Sequence, residues 1–256
     1  MSTSLPVWSW HIWVTNYDPD EYDGSGWELS KSYSVTGGKV QSYDDPDDAT
    51  SPVWKTDGVL NGKVMMDRNL GQSSSSTGNN LYYQFGRKDP FPTTGLGTIP
   101  TAGGPVTIAT SVNNPTTFYT YGGNWTSDAS GTDYLWNDPK VTPITSSAKS
   151  IYDPCPDGWR LPLIDTWSDF STSSFTWQDS PAGRTYNSDV FYTVAGYRYY
   201  DSGGLFNVET NGFYWSAMPY NSTIGQHLRF YNEDVLPVDY NYRAFGYPVR
   251  CVQDQE

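Results

Sequence analysis

The sequence predicts an α+β fold dominated by antiparallel sheet, and three observations lead to this class. Gly 24 and Pro 18, among many Ser, Thr, Asn and Asp residues, indicate a loop-rich chain with short elements. Hydrophobic residues make up only 36% of the chain whereas aromatic residues alone make up 16%, which predicts a core built from a few large rings. The apolar segments are short and rich in β-branched and aromatic residues, which favours strands over long helices.

The first third of the chain contains three predicted elements. Residues 7–14 are aromatic and β-branched and predict a strand, whereas the polar and acidic residues 16–52 predict loops. A short apolar run at 64–71 predicts a strand that ends in a turn. Residues 80–87 predict a short helix, because Leu81 and Phe85 would lie on one face and Gly86 could end the helix.

The middle of the chain predicts a long insertion. Residues 89–150 are rich in Pro, Gly, Thr and Asn, and we expect a loop-rich segment with little regular structure. Scattered rings should pack it onto the rest of the protein: Phe118, Tyr119, Tyr121, Trp125, Tyr134 and Trp136.

The last part of the chain alternates one helix with several strands. A proline-punctuated loop at 152–162 precedes Leu163, Trp167 and Phe170, whose helical spacing predicts a two-turn amphipathic helix. Further strands are predicted at 190–200, 212–218, 226–231 and 248–252. No internal repeat is visible, and the motifs favour one domain over residues 1–256.

Charge excludes two classes of partner. The net charge of −13 and the absence of a basic cluster argue against binding to nucleic acid or to an anionic membrane surface. No apolar stretch is long enough to cross a bilayer, so direct membrane insertion is not expected. The abrupt entry into a strand at Val7 predicts an anchoring or pilin domain, or an export signal, upstream of this chain.

The two cysteines, Cys155 and Cys251, have two interpretations. In a cytosolic protein they would more often be unrelated buried thiols. In an acidic, loop-rich and lysine-poor chain they fit a single disulfide formed in an oxidising compartment. The second interpretation predicts a protein located outside the cytoplasm.

Six sequence blocks occur in order along most of the chain, and together they resemble a known family. They lie at 8–15, 66–71, 83–91, 154–162, 214–217 and 243–252, and include Cys-Pro-Asp-Gly-Trp-Arg-Leu-Pro and Tyr-Trp-Ser-Ala. This pattern is similar to the C-type-lectin-like domains of surface and pilus-tip proteins of anaerobic gut bacteria and their phages. Within that family it most resembles the variable proteins of diversity-generating retroelements.

The resemblance implies a fold and a site. The N- and C-terminal strands pair, a disulfide joins Cys155 to Cys251, and a variable ligand-binding region spans about 214–247. In such retroelements adenines of Asn codons are randomised, which yields Tyr, His, Asp, Asn, Ile, Leu, Phe, Arg and Ser; Gln226 and Glu233 do not fit this set. The implied ligand-binding residues are Tyr220, Asn221, Ile224, Gln226, His227, Arg229, Tyr231, Asn232, Asp234, Leu236, Asp239, Tyr240, Asn241, Tyr242, Phe245 and Tyr247.

Strand alternation supports this assignment independently of the resemblance. Leu228 and Phe230 are spaced as inward residues, so we expect His227, Arg229 and Tyr231 to point outward. Tyrosine supplies a large contact area at low entropic cost, and Asn, Asp and His add adaptable polar contacts. The alternative is that these tyrosines only cover an antiparallel sheet.

The predicted function is recognition without catalysis. We expect an adhesin or a phage receptor-binding module on a cell surface or phage particle, with a protein or glycan ligand. One alternative is an oxidase of the formylglycine-generating type, which shares the general fold but needs a pair of reactive cysteines. Another is a structural pilus subunit without a ligand of its own.

No cofactor is predicted, although one weak calcium candidate is present. Asn16, Asp18, Asp20 and Asp23 have roughly the alternation of oxygen ligands that calcium takes, but the Glu that closes an EF-hand loop is missing. A solvated acidic turn is the favoured interpretation. With His11 in a core-like strand and His227 in the variable region, no histidine-based triad or zinc cluster is expected.

Overall fold

The computed structural model describes residues 32–36, 39–44, 53–54, 63–66, 68–72, 80–93, 99–128, 135–137, 149–156, 159–168, 170–186 and 190–253. Within these ranges the protein consists mostly of antiparallel strands, which confirms the dominant sheet. Helical structure there is limited to one α-helix and one 3₁₀ turn, so the helical part of the predicted α+β class is small.

The elements follow in chain order. The first eight strands and the helix are β1 (Ser32–Thr36), β2 (Lys39–Asp44), β3 (Val53–Trp54), β4 (Lys63–Met66), β5 (Leu81–Gln84), β6 (Phe91–Pro92), β7 (Thr101–Gly103), α1 (Ile108–Asn113) and β8 (Phe118–Thr120). Next come β9 (Trp159–Arg160), the 3₁₀ helix (Ile164–Trp167), β10 (Phe175–Asp179), β11 (Ala182–Tyr186), β12 (Val190–Thr193), β13 (Tyr197–Arg198) and β14 (Leu205–Phe206). The last are β15 (Gly212–Pro219), β16 (Ile224–Phe230), β17 (Val235–Tyr242), β18 (Gly246–Pro248) and β19 (Val252–Gln253).

The described strands form five sheets. Their orders are β3-β2-β1-β4-β19-β9, β10-β11-β12, β14-β13-β18-β5-β6, β15-β16-β17 and β7-β8, and only β7-β8 is parallel. The end of the chain therefore enters two sheets, through β18 beside β5 and through β19 between β4 and β9. The predicted N-terminal strand at 7–14 lies outside the described residues, so its pairing with the C-terminus stays a prediction.

The helix predicted at 80–87 is wrong, because this segment forms β5 and a turn. Tyr83 and Gln84 pair with Tyr247 and Gly246 of β18, and β6 pairs on the other side of β5. Long-range pairing overrides the local helical pattern here. Gly86 at φ +88° then turns the chain, and a Cβ at this position would lie 2.5 Å from Leu135 Cδ1.

The predicted helix at 163–170 is also shorter than its periodicity suggests. Of the residues described in this segment, only Ile164–Trp167 is helical, as a single 3₁₀ turn. Trp167 and Phe170 are buried, so the apolar spacing correctly identifies the inward side chains but not the length of the helix. Their packing onto the surrounding sheets, rather than helix propensity, holds the segment in place.

Two further assignments change in detail. The stretch to 52, predicted as loops, contains the hairpin of β1 and β2. The single strand predicted at 190–200 is divided into β12 and β13, with Gly196 at φ +64° between them. A Cβ on Gly196 would lie 2.2 Å from Phe206 O, so this close approach requires glycine.

In the described part of the insertion four of the six rings expected to anchor it are buried, whereas Tyr121 is exposed and Tyr134 lies outside the described residues; the segment has more regular structure than expected. It contains β6, β7, α1 and β8. Phe118, Tyr119, Trp125 and Trp136 are buried, and Trp125 and Trp136 donate their indole N–H groups to the carbonyl oxygens of Phe85 and Arg87. Rings with a polar end can pack a loop and also satisfy a buried carbonyl.

The disulfide between Cys155 and Cys251 is present, with Cα atoms 5.9 Å apart. It lies in a cluster of buried residues that includes Trp159, Tyr247 and Trp215. The bond fastens the end of the chain to the loop before the 3₁₀ helix. The loop itself is held by Asp153, whose carboxylate accepts hydrogen bonds from the backbone N–H groups of Cys155 and Leu161.

Candidate functional site

Most of the predicted ligand-binding region forms one three-stranded antiparallel sheet, β15-β16-β17. Tyr214 lies opposite Leu228, and Gln226 lies opposite Tyr240. A register shift between His227 and Arg229 interrupts the pairing of β16 with β17. A register shift of this kind increases the local twist of the sheet. The two ends of the sheet therefore face different parts of the protein.

One face of this sheet is buried at one end and exposed at the other. Leu228 and Phe230 are fully buried and pack with Trp167 and Phe175, which confirms their predicted inward direction. Toward the opposite end of β17, Tyr240 and Tyr242 are 46% and 37% exposed. The buried residues packed around Leu228 and Phe230 therefore cover only one end of this face.

The other face is also covered, which corrects the predicted direction of His227. Its side chain does lie opposite to Leu228, as alternation requires, but it is completely buried. The imidazole contacts the rings of Phe213, Trp215 and Tyr247 at centroid distances of 5.8, 5.6 and 4.8 Å. The layer containing β18 and β13 packs against this side of the sheet and removes it from solvent.

Phe245 and Tyr247 are likewise buried, not exposed as predicted. Tyr247 lies in β18 opposite Tyr83, and its ring stacks on that of Phe213 at 4.9 Å. Burial raises the pKa of Tyr247 well above its usual value. These two rings are part of the core beneath the site.

The other predicted residues remain at least partly accessible. Those exposed are Tyr220, Asn221, Asn232, Tyr240 and Tyr242, and those partly buried are Ile224, Gln226, Arg229, Tyr231, Asp234, Leu236, Asp239 and Asn241. The turn carrying Tyr231 and Asn232 is docked on β11, because Arg184 donates to both carbonyl oxygens at 2.8 to 3.0 Å. This end of the sheet is therefore fixed to a neighbouring sheet.

The exposed end carries a surface that we call the tyrosine surface, formed by Tyr121, Tyr200, Tyr220, Tyr240 and Tyr242. The rings of Tyr220 and Tyr240 lie 4.5 Å apart, and those of Tyr200 and Tyr242 lie 5.3 Å apart. Tyr121 is 43% exposed, and its backbone N–H donates to Tyr200 O. Aromatic side chains exposed together in this way mark interaction sites more often than single exposed rings do.

Three chain segments hold the tyrosine surface in place. Asn124 of the insertion donates to Ser222 O at 2.9 Å, and Ala244 N donates to Gly123 O at 3.0 Å. The Asn221 side chain accepts from the backbone N–H groups of Thr223 and Ile224, both at 2.9 Å. Asn221, predicted as a ligand contact, thus uses its side-chain oxygen to shape the turn.

Sequence reasoning missed Tyr121 and Tyr200 as members of this site. Both lie outside the variable region, in the insertion and just after β13. The ring atoms of Tyr121 and the Cβ of Thr223 both lie within 4 Å of the Cβ position of Gly123, which brings the insertion against the 220–224 turn. The aromatic residues of the insertion were a visible signal, but their spatial neighbours were not.

Comparison with family models, curated proteins and solved structures finds no significant match to this chain.

A charged pair lies beside the buried histidine. Arg229 Nη1 and Asp239 Oδ2 are 3.1 Å apart, with both side chains partly accessible. Burial lowers the pKa of His227 to about 4, partly opposed by the nearby Asp239 carboxylate, so the imidazole is neutral at pH 7. Its Nε2 has no hydrogen-bond partner among the residues that the structure describes.

Two observations bear on metal and thiol chemistry within the described residues. No group of three or more His, Cys, Asp or Glu side chains in the described ranges is placed to hold a metal ion. The calcium candidate at 16–23 lies outside those ranges and stays a prediction. Both cysteines of the chain are used in the disulfide. No helix within the described residues is long and apolar enough to cross a membrane.

Proposed function

We propose that this protein is a recognition module of the C-type-lectin-like kind, displayed outside the cytoplasm, which binds a protein or glycan ligand through the tyrosine surface. The observation that carries the proposal is this surface itself. Its rings, of which those of Tyr121, Tyr220, Tyr240 and Tyr242 are exposed and that of Tyr200 is partly buried, come from three separate chain segments that backbone and side-chain hydrogen bonds fasten together. A preorganised aromatic surface loses little conformational entropy when it binds.

The tyrosine rings are better placed to bind a ligand than to stabilise the core. Tyr220 is 59% exposed and Tyr240 is 46% exposed, so these rings stabilise the core little. Gln226 and Ile224 lie opposite Tyr240 and Tyr242 in the sheet and are partly accessible. The site thus combines ring faces with an amide and an aliphatic side chain, a mixture typical of antibody-like binding surfaces.

The disulfide supports the location and the class. A disulfide that closes a 96-residue separation favours an oxidising compartment. It also involves both cysteines of the chain, which weighs against the alternative of a thiol-dependent oxidase. Display on a pilus, a cell or a phage particle, as the family resemblance implies, is consistent with these properties.

The proposal is tested by binding of labelled protein to a glycan array and to intact cells measured by flow cytometry. A variant with Tyr220→Ala, Tyr240→Ala and Tyr242→Ala should lose all specific binding. Ile151→Ala removes a side chain that is 69% exposed and outside the tyrosine surface, and this control should bind as the unmodified protein does. Equal binding by the triple variant would refute the proposed site.

Two further measurements separate the alternatives. Sedimentation velocity that shows ordered polymers, lost in the triple variant, would identify the surface as a subunit contact of a structural pilin instead. Sequencing the DNA beside the gene tests the retroelement origin: a reverse transcriptase next to a near-copy of the segment encoding 214–247 is expected.

A further inference from the structure

A row of ring contacts continues the tyrosine surface beyond the predicted variable region. The ring centroids of Tyr242 and Tyr200 lie 5.3 Å apart. Those of Tyr200 and Tyr199 lie 4.5 Å apart, and those of Tyr199 and Phe206 lie 5.2 Å apart. Phe206 is exposed, and Tyr199 and Tyr200 are partly accessible. This aromatic row, from Tyr242 to Phe206, enlarges the accessible aromatic area in the manner of an interaction surface.

The rings of the aromatic row do not form a flat platform. The planes of Tyr199 and Tyr200 are inclined by 48°, those of Tyr199 and Phe206 by 56°, and those of Tyr200 and Tyr242 by 86°. A chain of saccharide units that stacks on several rings needs rings that lie nearly parallel. An uneven aromatic surface is matched better by the side chains of a partner protein, which supply anchors of different shapes.

The positive charges of the protein lie inside it. All eight arginines of the chain belong to the part that the structure describes; seven are buried, and Arg229 is partly buried and paired with Asp239. Lys88 is buried, and Lys149 is partly buried and donates to three backbone carbonyl oxygens. Among the side chains that the structure describes, no Lys or Arg is therefore exposed.

Several carboxylates, in contrast, lie at the surface. Those exposed in the described ranges are Asp165, Asp179, Asp201, Glu209 and Glu233. Asp201 directly follows Tyr200, and its carboxylate interacts electrostatically with the Tyr200 hydroxyl. Arg243 directly follows Tyr242, but it is buried and donates to Asn221 O, so its guanidinium is enclosed. With a net charge of −13, the protein attracts positively charged partners.

We propose that the partner of the tyrosine surface is a protein that presents a segment rich in Lys or Arg, which lies along the aromatic row. This inference rests on the proposed function and names the partner of that same surface. Cationic side chains of the partner pack over the exposed rings, because a cation within about 6 Å of a ring centre is attracted to its face. Asp201 pairs with one of these cations. An acidic partner meets repulsion from the same carboxylates.

Fluorescence anisotropy with four labelled decapeptides tests the proposal. Their repeating units are Gly-Arg, Gly-Lys, Gly-Glu and Gly-Ser. The two basic peptides should bind with a Kd on the order of 100 μM. That Kd should rise about tenfold when NaCl is raised from about 50 mM to about 500 mM, because salt screens the attraction between exposed charges. The glutamate and serine peptides should not bind.

Ring variants that keep the net charge separate recognition from general electrostatic attraction. The variant with Tyr220→Ala, Tyr240→Ala and Tyr242→Ala should raise the Kd of the basic peptides about tenfold. Phe206→Leu keeps an apolar side chain and removes the ring at the far end of the aromatic row, and it should raise the Kd about threefold. Ile151→Ala is the control and should leave the Kd unchanged. Thermal melting confirms that each variant is folded.

Two carboxylate variants test the position of the charge. Asp201→Asn and Glu233→Gln each remove one exposed negative charge, the first beside Tyr200 and the second in the turn between β16 and β17. This turn lies at the end of β17 opposite to Tyr242. Only Asp201→Asn should weaken binding of the basic peptides, about threefold.

Three outcomes would overturn the inference. The first is equal binding of the basic peptides by the ring variants and the unmodified protein, or equal effects of the two carboxylate variants, since attraction would then be general. The second is preferential binding of the neutral or acidic peptide. The third is no binding of either basic peptide while the triple variant loses binding to cells or glycans, which would leave the proposed function intact. Failure of the proposed function differs, because the triple variant would then bind cells and glycan arrays as the unmodified protein does.

Discussion

The ring centroids of Tyr220 and Tyr240 lie 4.5 Å apart, and the ring planes are inclined by 55°. The contact crosses a sheet in which the strands nearest to the two residues are not hydrogen-bonded to each other. Tyr220 follows β15, Tyr240 lies in β17, and β16 runs between these strands. The contact therefore spans the width of the sheet at its exposed end. It makes Tyr220 and Tyr240 the centre of the proposed tyrosine surface.

Replacing the exposed rings should scarcely alter stability, in contrast to replacing the buried one. The variant with Tyr220→Ala, Tyr240→Ala and Tyr242→Ala should lose less than about 1 kcal/mol of unfolding free energy. Tyr247→Ala should lose about 4 kcal/mol, because this ring is fully buried against Phe213 and Trp215. Urea denaturation compares the two. A similar loss in both would place the exposed rings in the core.

Stability should fall in acid because of His227. Burial lowers the pKa of this imidazole from 6.5 to about 4. The unfolded chain therefore binds a proton below pH 6.5 that the folded chain does not bind until about pH 4. The stabilisation by neutral His227 is complete above pH 6.5 and declines, by roughly 3 kcal/mol, as the pH falls to 4.

A His227→Phe variant tests this pH dependence, since phenylalanine keeps an apolar ring among Phe213, Trp215 and Tyr247. The difference in unfolding free energy between the two proteins should change in favour of the variant between pH 6.5 and pH 4. Asp153 acts in the opposite direction, because burial raises its pKa from 3.8 to about 6 and its contribution grows as the pH falls through this window. It is present in both proteins and cancels in the comparison. A pH-independent difference would contradict the assignment to His227.

Removing the disulfide should destabilise the protein strongly. Cys155 and Cys251 are 96 residues apart in sequence, and a cross-link of this span restricts the unfolded chain by about 4 kcal/mol in the chain-entropy description. The Cys155→Ala, Cys251→Ala double variant should melt at a lower temperature in calorimetry. The unmodified protein under reducing conditions should approach the same melting temperature. A loss below about 1 kcal/mol would show that the unfolded chain is not constrained in this way.

Arg250 should tolerate no replacement by lysine. It is fully buried, donates to Asn69 Oδ1 at 2.9 Å and to Phe191 O at 3.0 Å, and lies 4.0 Å above the ring of Tyr192. Lysine cannot reproduce this planar fork, so Arg250→Lys should lose about 3 kcal/mol. Arg229→Lys, at a partly exposed position, is the control and should change stability by less than about 0.5 kcal/mol. Chemical denaturation of both variants decides the matter.

The sequence anticipated much of the sheet and part of the site. Alternation correctly placed Leu228 and Phe230 inward, and the exposed Tyr220, Tyr240 and Tyr242 lie on the predicted region. It failed for His227, because alternation tells which face a side chain is on but not whether that face is covered. It also failed at 80–87, where pairing with β18 more than 150 residues later decided the conformation of β5.

The sequence by itself determined the features that depend on local geometry and composition: the predominance of short strands, the inward side chains of β16 and the anchoring of the insertion by aromatic residues. Only the tertiary structure decided which tyrosines form the proposed tyrosine surface, because Tyr121 and Tyr200 join Tyr242 through contacts between distant segments. It also decided that Tyr247 is core, since the β15-β16-β17 sheet packs over its ring. Whether a side chain is exposed depends on the segment that packs over it. The fold, rather than the neighbouring residues in the chain, decides which segment that is.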